Sequence, residues 1–408
     1  MRTTATPSPL VTSTPTGAMP ARVAIAHDWL CGYRGGEAVL DRIARLVTRR
    51  FRCAGLWTMF DDGRGLTPVV DTLPKHTSIL QRVPGGPGVL RRWLLPLYPR
   101  AVESLSRSLA REHAREPLDL VVSTSSAAVK GIRAPAGAAH VCYCHSPARY
   151  LWSQQAAYSS GLRGAGLRMF GGRLRAWDRA TASNVTQFIA NSTHTREEIH
   201  RCYARDSAVV FPPARTEFFG IDTSTRREEF WLLVGALEPY KRADIAIDAA
   251  NQSRRELVVV GDGSMRRELR RRAGPTVRFE GRVSDERLRD LYQRASVLLF
   301  PQVEDFGIIA VEAQACGLPV IARSAGGSRD TVIAGETGML FDEPTPGALL
   351  GAIDRFERSG RGASEWAACC RRNAQRFSEA RFDESMLGIM LASLERAPTG
   401  ARSGKLGI

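Results

Sequence analysis

The sequence predicts an α/β fold made of two doubly wound domains, and three observations carry that prediction. The chain is 408 residues long, more than one hydrophobic core usually supports, so two domains are expected. Short apolar runs of the buried parallel-strand kind recur through both halves, each followed by a turn and an amphipathic helical stretch. One stretch organises the second half. The strand Ser296-Val297-Leu298-Leu299-Phe300 leads through Pro301-Gln302-Val303-Glu304-Asp305-Phe306-Gly307 into a helix of small and apolar residues, stopped by Gly317 and Pro319. Glu304 falls before this helix and Glu312 inside it, eight residues apart. With a helix start near Phe306, the open amides of its first turn point at the space Glu304 borders, which makes an anion site with a carboxylate beside it.

In chain order, residues 1–20 are rich in Ser, Thr, Pro and Ala and are expected to form a disordered leader. Arg22 to His27 is the first strand of a domain spanning 21–215. It passes through Asp28 to Arg34 into Gly35-Gly36-Glu37 and an amphipathic helix from Ala38 to Val47. The glycine pair permits close backbone approach to a ligand. Between Leu90 and Leu109, basic residues stand beside Trp93, Leu94, Leu95, Leu97 and Tyr98. Such a segment either lies on a membrane or a lipid-linked ligand, or is a proline-kinked helix packed on the sheet. Leu118 to Ser123 is a strand followed by Thr124 to Gly131. Ala138 to Cys144 is the next, delivering His145-Ser146-Pro147 at its C-terminal end, where open α/β sheets place ligands. A histidine there is either structural or functional. Gln187 to Ser192 closes the half.

A polar link from about Arg215 to Glu229 opens the second domain, 216–380. Its strands are Phe230–Gly235, Leu257–Gly263, Val277–Gly281, the Phe300 strand and Pro319–Ala322. Helices run from Lys241 to Ala250, Ser264 to Arg272, and Ser284, a good cap, to Ala295. Gly326-Gly327 turns out of the last strand, and 381–408 is a helix and tail. Gly261-Asp262-Gly263 lacks the third glycine a dinucleotide site needs.

The formal charge of +15 comes from arginine, since the only lysines are Lys75, Lys130, Lys241 and Lys405. A genome-wide preference for arginine codons accounts for this without any function. A basic surface also favours nucleotides, lipid diphosphates, membrane headgroups or nucleic acid. The eight cysteines show no CxxC pair, and Cys142-x-Cys144 reads as alternation in a strand. Reduced thiols in a cytoplasmic protein are the expectation. No run approaches the ~18 apolar residues of a membrane span, so the chain is expected to be soluble, at most attached to a membrane surface.

Gly235-Ala236-Leu237-Glu238-Pro239-Tyr240-Lys241-Arg242, Gly261-Asp262-Gly263, Phe279 to Asp285 and the Glu304/Glu312 stretch, in that order and spacing, resemble family 4 glycosyltransferases. Gly35-Gly36-Glu37, Leu94 to Glu103, Ser125 to Gly131 and Tyr143 to Trp152 resemble a bacterial mannosyltransferase branch acting on lipid-linked saccharides. The resemblance runs from Arg22 to about Arg381. It implies a GT-B fold, with two Rossmann-like domains facing across a cleft and a final helix crossing back to the first. It implies retaining transfer from a nucleotide sugar, GDP-mannose above all, to a lipid-diphosphate-linked saccharide, without cofactor, metal or nucleic acid, at the inner face of the plasma membrane. Carried over by position, Glu304 would hold the donor sugar, Glu312 the ribose, and the amides of Phe306, Gly307, Ile308 and Ile309 the diphosphate or sugar. Lys241 with Arg242 would neutralise the leaving phosphate. Gly261 and Val283 would line the base pocket, Gly35 and Gly36 would approach the diphosphate from the opposite domain, His145 would face the transferred sugar, and Lys130 the acceptor. Ala236 stands where many members carry Arg, which is why Arg242 is expected to complete the cationic pair.

A departing diphosphate needs its charge stabilised by a metal or by fixed cations and dipoles. No Asp-x-Asp occurs in the sequence, so Lys241, Arg242 and the helix N-terminus suit the metal-free route. Four readings compete. One is the same fold with a UDP-sugar, one a GT-B epimerase or phosphorylase that turns over without a lipid acceptor, one a hydrolase whose paired carboxylates straddle a bond at ~5–9.5 Å, and one a non-catalytic nucleic-acid or membrane binder.

Overall fold

A computed structural model describes residues 19–153 and 161–396. Residues 1–18, where the leader was expected, and the tail beyond 396 lie outside the described residues. The first sheet has seven parallel strands in the order β3-β2-β1-β4-β5-β6-β7, formed by Arg22–Leu30 (β1), Arg52–Asp61 (β2), Lys75–Thr77 (β3), Leu120–Ser125 (β4), Ala139–Cys144 (β5), Gln187–Ala190 (β6) and Ser207–Val209 (β7). The second has six in the order β10-β9-β8-β11-β12-β13, from Trp231–Val234 (β8), Leu257–Val260 (β9), Val277–Gly281 (β10), Val297–Phe300 (β11), Val320–Arg323 (β12) and Gly338–Phe341 (β13). Parallel strands covered on both faces read as unbroken apolar runs, and Leu257-Val258-Val259-Val260 is buried throughout. Strand order reverses between β1 and β4 and again between β8 and β11. In such sheets ligands bind outside the carboxyl ends at those reversals.

The first long helix is Gly35–Arg50, so Gly35 and Gly36 form its first turn rather than the turn before it. The cause is Glu37, whose carboxylate accepts the Arg34 N–H at 3.0 Å and so satisfies an amide that a helix start leaves open. The Leu90–Leu109 stretch resolves toward packing. Its prolines break it into short 3-10 turns ahead of the helix Tyr98–Arg115, and Leu94, Leu95, Leu97 and Tyr98 join the core under the sheet. Arg91 folds onto the Trp29 ring at 4.6 Å. Leu90 and Trp93 stay exposed. No helix of the described residues is long and apolar enough to cross a membrane. All eight cysteines are free thiols.

The last described helix, Glu379–Arg396, returns to the first domain. Phe382, Met386 and Met390 sink into the same cluster as Val23, Ile25 and Tyr143, each contributing ~1.5–3 kcal/mol of burial. Asp383 accepts two hydrogen bonds from Arg42 at 2.7 and 2.8 Å. Two polar contacts also join the domains. Asp330 accepts the amide and hydroxyl of Thr193 at 2.8 and 2.7 Å, capping the helix Thr193–Tyr203 from the other side, and Arg149 pairs with Asp305.

Candidate active site

On the second domain the site begins where β11 ends. The following helix is Ile308–Ala315, starting two residues later than the sequence suggested. Gly307 adopts φ +88, a conformation glycine favours, and a Cβ there would lie 3.1 Å from the Phe300 ring. Phe306 turns inward, its ring 5.8 Å from that of Phe211 and 5.5 Å from that of Phe377. Phe306 therefore sits before the helix, and the first-turn amides belong to Ile308 and Ile309. The loop is held from behind by Gly326-Gly327. The Gly327 N–H donates to the Glu304 carbonyl at 2.8 Å, and a Cβ on Gly327 would stand 2.3 Å from Phe306 Cα. We expect Gly327→Ala to displace the Glu304 loop and lower the melting temperature by several degrees, since backbone rather than a flexible side chain must move. Calorimetry checks this.

Lys241 ends a 3-10 turn after β8 and its ammonium pairs with the Glu304 carboxylate. Burial above all, with Arg149 adding, pushes the Lys241 amine down to about 8, against the pull of Asp305. Arg242, the expected second cation, is turned aside. That residue sits at φ +53 with its guanidinium on Asp244 at 3.0–3.3 Å, within the first turn of its own helix. Another cation that acts on Lys241 is Arg149, which arrives from the first domain on the segment after His145 and pairs with Asp305.

Glu312 is 7% exposed. Its carboxylate lies 3.6 Å from Arg215, which also holds Asp285 at 2.5 Å. Burial pushes the Glu312 carboxyl up to about 7; Arg215 opposes this and Asp285 adds to it. Glu304 and Glu312 thus face different cations on different segments, which does not suit a carboxylate pair flanking one bond. Gly261 adopts φ +127, and a Cβ there would fall 1.9 Å from the Gly235 carbonyl. Its glycine is required by the packing of two strand exits, whatever else binds nearby. Val283 is half-buried against the core beyond β10.

On the first domain, Gly36 and His145 meet. A Cβ on Gly36 would stand 3.7 Å from His145 Nε2, and Gly35 has open space. The His145 ring touches the Thr124 hydroxyl at 3.2 Å and packs edge-on against Tyr143, centroids 5.3 Å apart. Burial first, then His27 and Arg149, hold the His145 imidazole down to about 3, with Glu37 opposing. His145 is neutral at physiological pH.

Two family models cover nearly all of these elements. Residues 33–217 match the model described as Glycosyltransferase Family 4, and residues 221–377 the one described as Glycosyl transferases group 1. The chain belongs to the family 4 glycosyltransferases. Among curated relatives of this chain is the D-inositol 3-phosphate glycosyltransferase of Rhodococcus erythropolis, 32% identical over 231 residues, or 49% of this chain and 52% of that one. The protein of the same name from Acidothermus cellulolyticus is 35% identical over 190 residues, 42% of each chain. The chain spans about half the length of the curated relatives it matches. Among solved structures, sucrose-phosphate synthase from Thermosynechococcus elongatus superposes with a TM-score of 0.71 at 19% identity, over 91% of this chain and 98% of that one. Anabaena HepE in complex with UDP gives 0.66 at 17% identity, over 91% and 100%. At these identities the likeness shows the fold, which is GT-B.

One expected site residue of this chain lies elsewhere. Lys130 is 2% exposed. Its ammonium is 3.0 Å from the Asp178 carboxylate and 4.4 Å from the centre of the Tyr203 ring, and it donates to the Asp178 carbonyl at 2.5 Å. Lys130 is a buried structural cation and does not face an acceptor. We expect Lys130→Ala to cost about 3–5 kcal/mol, because Asp178 is left buried without its counter-charge; urea unfolding measures it. Sequence reasoning missed Arg149, Arg215, His27 and Thr124. It also missed Asp28, whose buried carboxylate accepts the amides of Ser126, Ala127, Ala128 and Val129 at 2.6–2.9 Å and so shapes the loop after β4. Arg149 lies inside the Tyr143–Trp152 stretch that carried the resemblance, and that was its one available signal. Among the described residues, no three His, Cys, Asp or Glu side chains gather as a metal site.

Proposed function

We propose that this protein transfers a sugar, with retention at the anomeric carbon, from a nucleotide-diphosphate donor to an acceptor hydroxyl in the cleft between its domains. The observation that carries the reading is the Lys241–Glu304 pair placed beside the first-turn amides of Ile308 and Ile309. An ammonium, a carboxylate and open amides at one strand exit are what a sugar diphosphate needs. Glu304 takes donor-sugar hydroxyls, Lys241 shifts to the leaving phosphate, and Glu312 takes the ribose. Gly35 and Gly36 approach from the opposite domain with His145 over the sugar, while Gly261 and Val283 border the base. A helix N-terminus contributes only about 0.3–2 kcal/mol, so Lys241 and Arg149 carry most of the charge stabilisation and the reaction needs no metal.

The sequence resemblance supports GDP-mannose as donor and a lipid-diphosphate-linked saccharide as acceptor, in cell-surface polysaccharide synthesis at the inner face of the membrane. The exposed Leu90 and Trp93 offer a peripheral contact there. A second reading, a UDP-sugar donor, is favoured by neighbours solved with UDP and with UDP-glucose, and the curated relatives' name points to a phosphorylated inositol acceptor. The non-catalytic polyanion binder is disfavoured, since many surface arginines are engaged internally, such as Arg294 with Glu228 and Arg255 with Glu357.

Thermal-shift screening against GDP, UDP, ADP and their sugars, with chelator present, tests the proposal. One base is expected to stabilise the protein by about 3 kcal/mol at a hundred-fold excess over its Kd. No stabilisation by any of them would refute the donor site, and stabilisation lost with chelator would refute metal independence.

A further inference from the structure

Behind His145 lies a buried polar chain that the proposed chemistry leaves unused. His27 and Thr124 are register partners on the adjacent parallel strands β1 and β4, with side chains 4% and 0% exposed. The Thr124 hydroxyl stands 2.6 Å from His27 Nδ1 and 3.2 Å from His145 Nε2. On the far side, His27 Nε2 faces the Glu37 carboxylate at 3.9 Å, while the other Glu37 oxygen is fixed by the Arg34 amide. One hydroxyl therefore bridges two imidazoles. It has a single hydrogen, so it donates to one ring and accepts from the other.

We propose that Glu37, His27 and Thr124 are positioning residues that fix which nitrogen of His145 carries its one hydrogen. The Glu37 carboxylate, 3.9 Å from His27 Nε2, electrostatically favours a hydrogen on that nitrogen. When His27 is neutral, its Nδ1 accepts from Thr124, the Thr124 oxygen accepts from His145 Nε2–H, and His145 Nδ1 is a lone pair. When His27 is protonated, its Nδ1–H donates to Thr124, Thr124 donates to His145 Nε2, and the His145 hydrogen moves to Nδ1. The charge of His27 thus decides whether a given edge of His145 donates or accepts. The charged groups facing the two rings are Glu37 from the first helix and Arg149 beyond β5, together with the rings themselves. The consequence for catalysis rests on the reading that His145 faces the transferred sugar; the tautomer itself does not.

The test is long-range 1H–15N NMR of the full chain labelled with 15N-histidine, assigned with His27→Gln and His145→Gln and followed through a pH titration. The wild type is expected to show His145 as one tautomer, set by the protonation state of His27. Thr124→Val uncouples the two, and Thr124→Ser restores the coupling. In a transfer assay Thr124→Val lowers kcat about ten-fold or more with unchanged nucleotide affinity. A His145 tautomer that ignores His27 in the wild type, or that still follows it in Thr124→Val, overturns the proposal. If the wild type transfers no sugar, the proposed function fails while the spectra still read the relay.

Discussion

Replacing Lys241 with alanine lowers turnover by about 10²- to 10³-fold while the protein stays folded. The magnitude is that of removing one preorganised group aimed at developing charge. Lys241 is the ammonium beside Glu304, its side chain only 15% exposed, and in that partly water-free position its charge is worth more than in bulk. The stability effect is small by comparison. Glu304 keeps some contact with water at 17% exposure, so losing its partner costs less than breaking a fully buried pair. Lys241→Arg does not restore activity, because a planar fork cannot replace a compact ammonium between Glu304 and a phosphate. Steady-state kinetics beside a melting curve decides it, and near-wild-type kcat in the alanine variant removes Lys241 from the mechanism.

Glu312→Gln weakens nucleoside diphosphate binding by roughly ten- to a hundred-fold, the value of hydrogen bonds to a charged acceptor, and stabilises the empty protein. The folded state keeps the Glu312 proton up to about 7, whereas the unfolded chain releases it near 4.5. The folded form therefore binds the proton more tightly. This contribution to stability is fully present below pH 4.5 and is lost as pH rises through about 7. At pH 8 the ionised, buried carboxylate costs on the order of 3 kcal/mol, a cost the neutral amide does not carry. The melting-temperature gain of Glu312→Gln is expected at pH 8 and to vanish near pH 5. The same two groups shape the kinetics. If, as proposed, ribose binding uses ionised Glu312 and phosphate binding uses protonated Lys241, kcat/KM is expected to form a narrow bell with limbs near 7 and 8. A flat profile over that range contradicts both assignments.

Much of this was legible in the residues. The apolar runs that became β1, β4, β8, β9 and β11 are buried on both faces, and such runs allow few other readings. Glu304 and Glu312 were visible because a strand exit and a helix lie within one short stretch. What the sequence concealed depends on contacts between distant segments. Arg149 meets Asp305 only because two domains face each other. Lys130 sits in the small apolar stretch Ala127-Ala128-Val129-Lys130-Gly131, and nothing in that stretch announces Asp178 as its buried partner. Arg242 adjoins Lys241 in sequence, but its left-handed backbone turns the side chain onto Asp244. The His27–Thr124 contact comes from the register of two parallel strands, which neighbouring residues do not specify.

A crystal structure of the complex with the nucleoside diphosphate that stabilises the protein most tests the central claim directly. The β-phosphate is predicted to lie against the Ile308 and Ile309 amides with the Lys241 ammonium turned onto it, and the ribose hydroxyls on Glu312. A nucleotide whose phosphates sit on another surface, or whose ribose leaves Glu312 with Arg215 alone, would contradict the account.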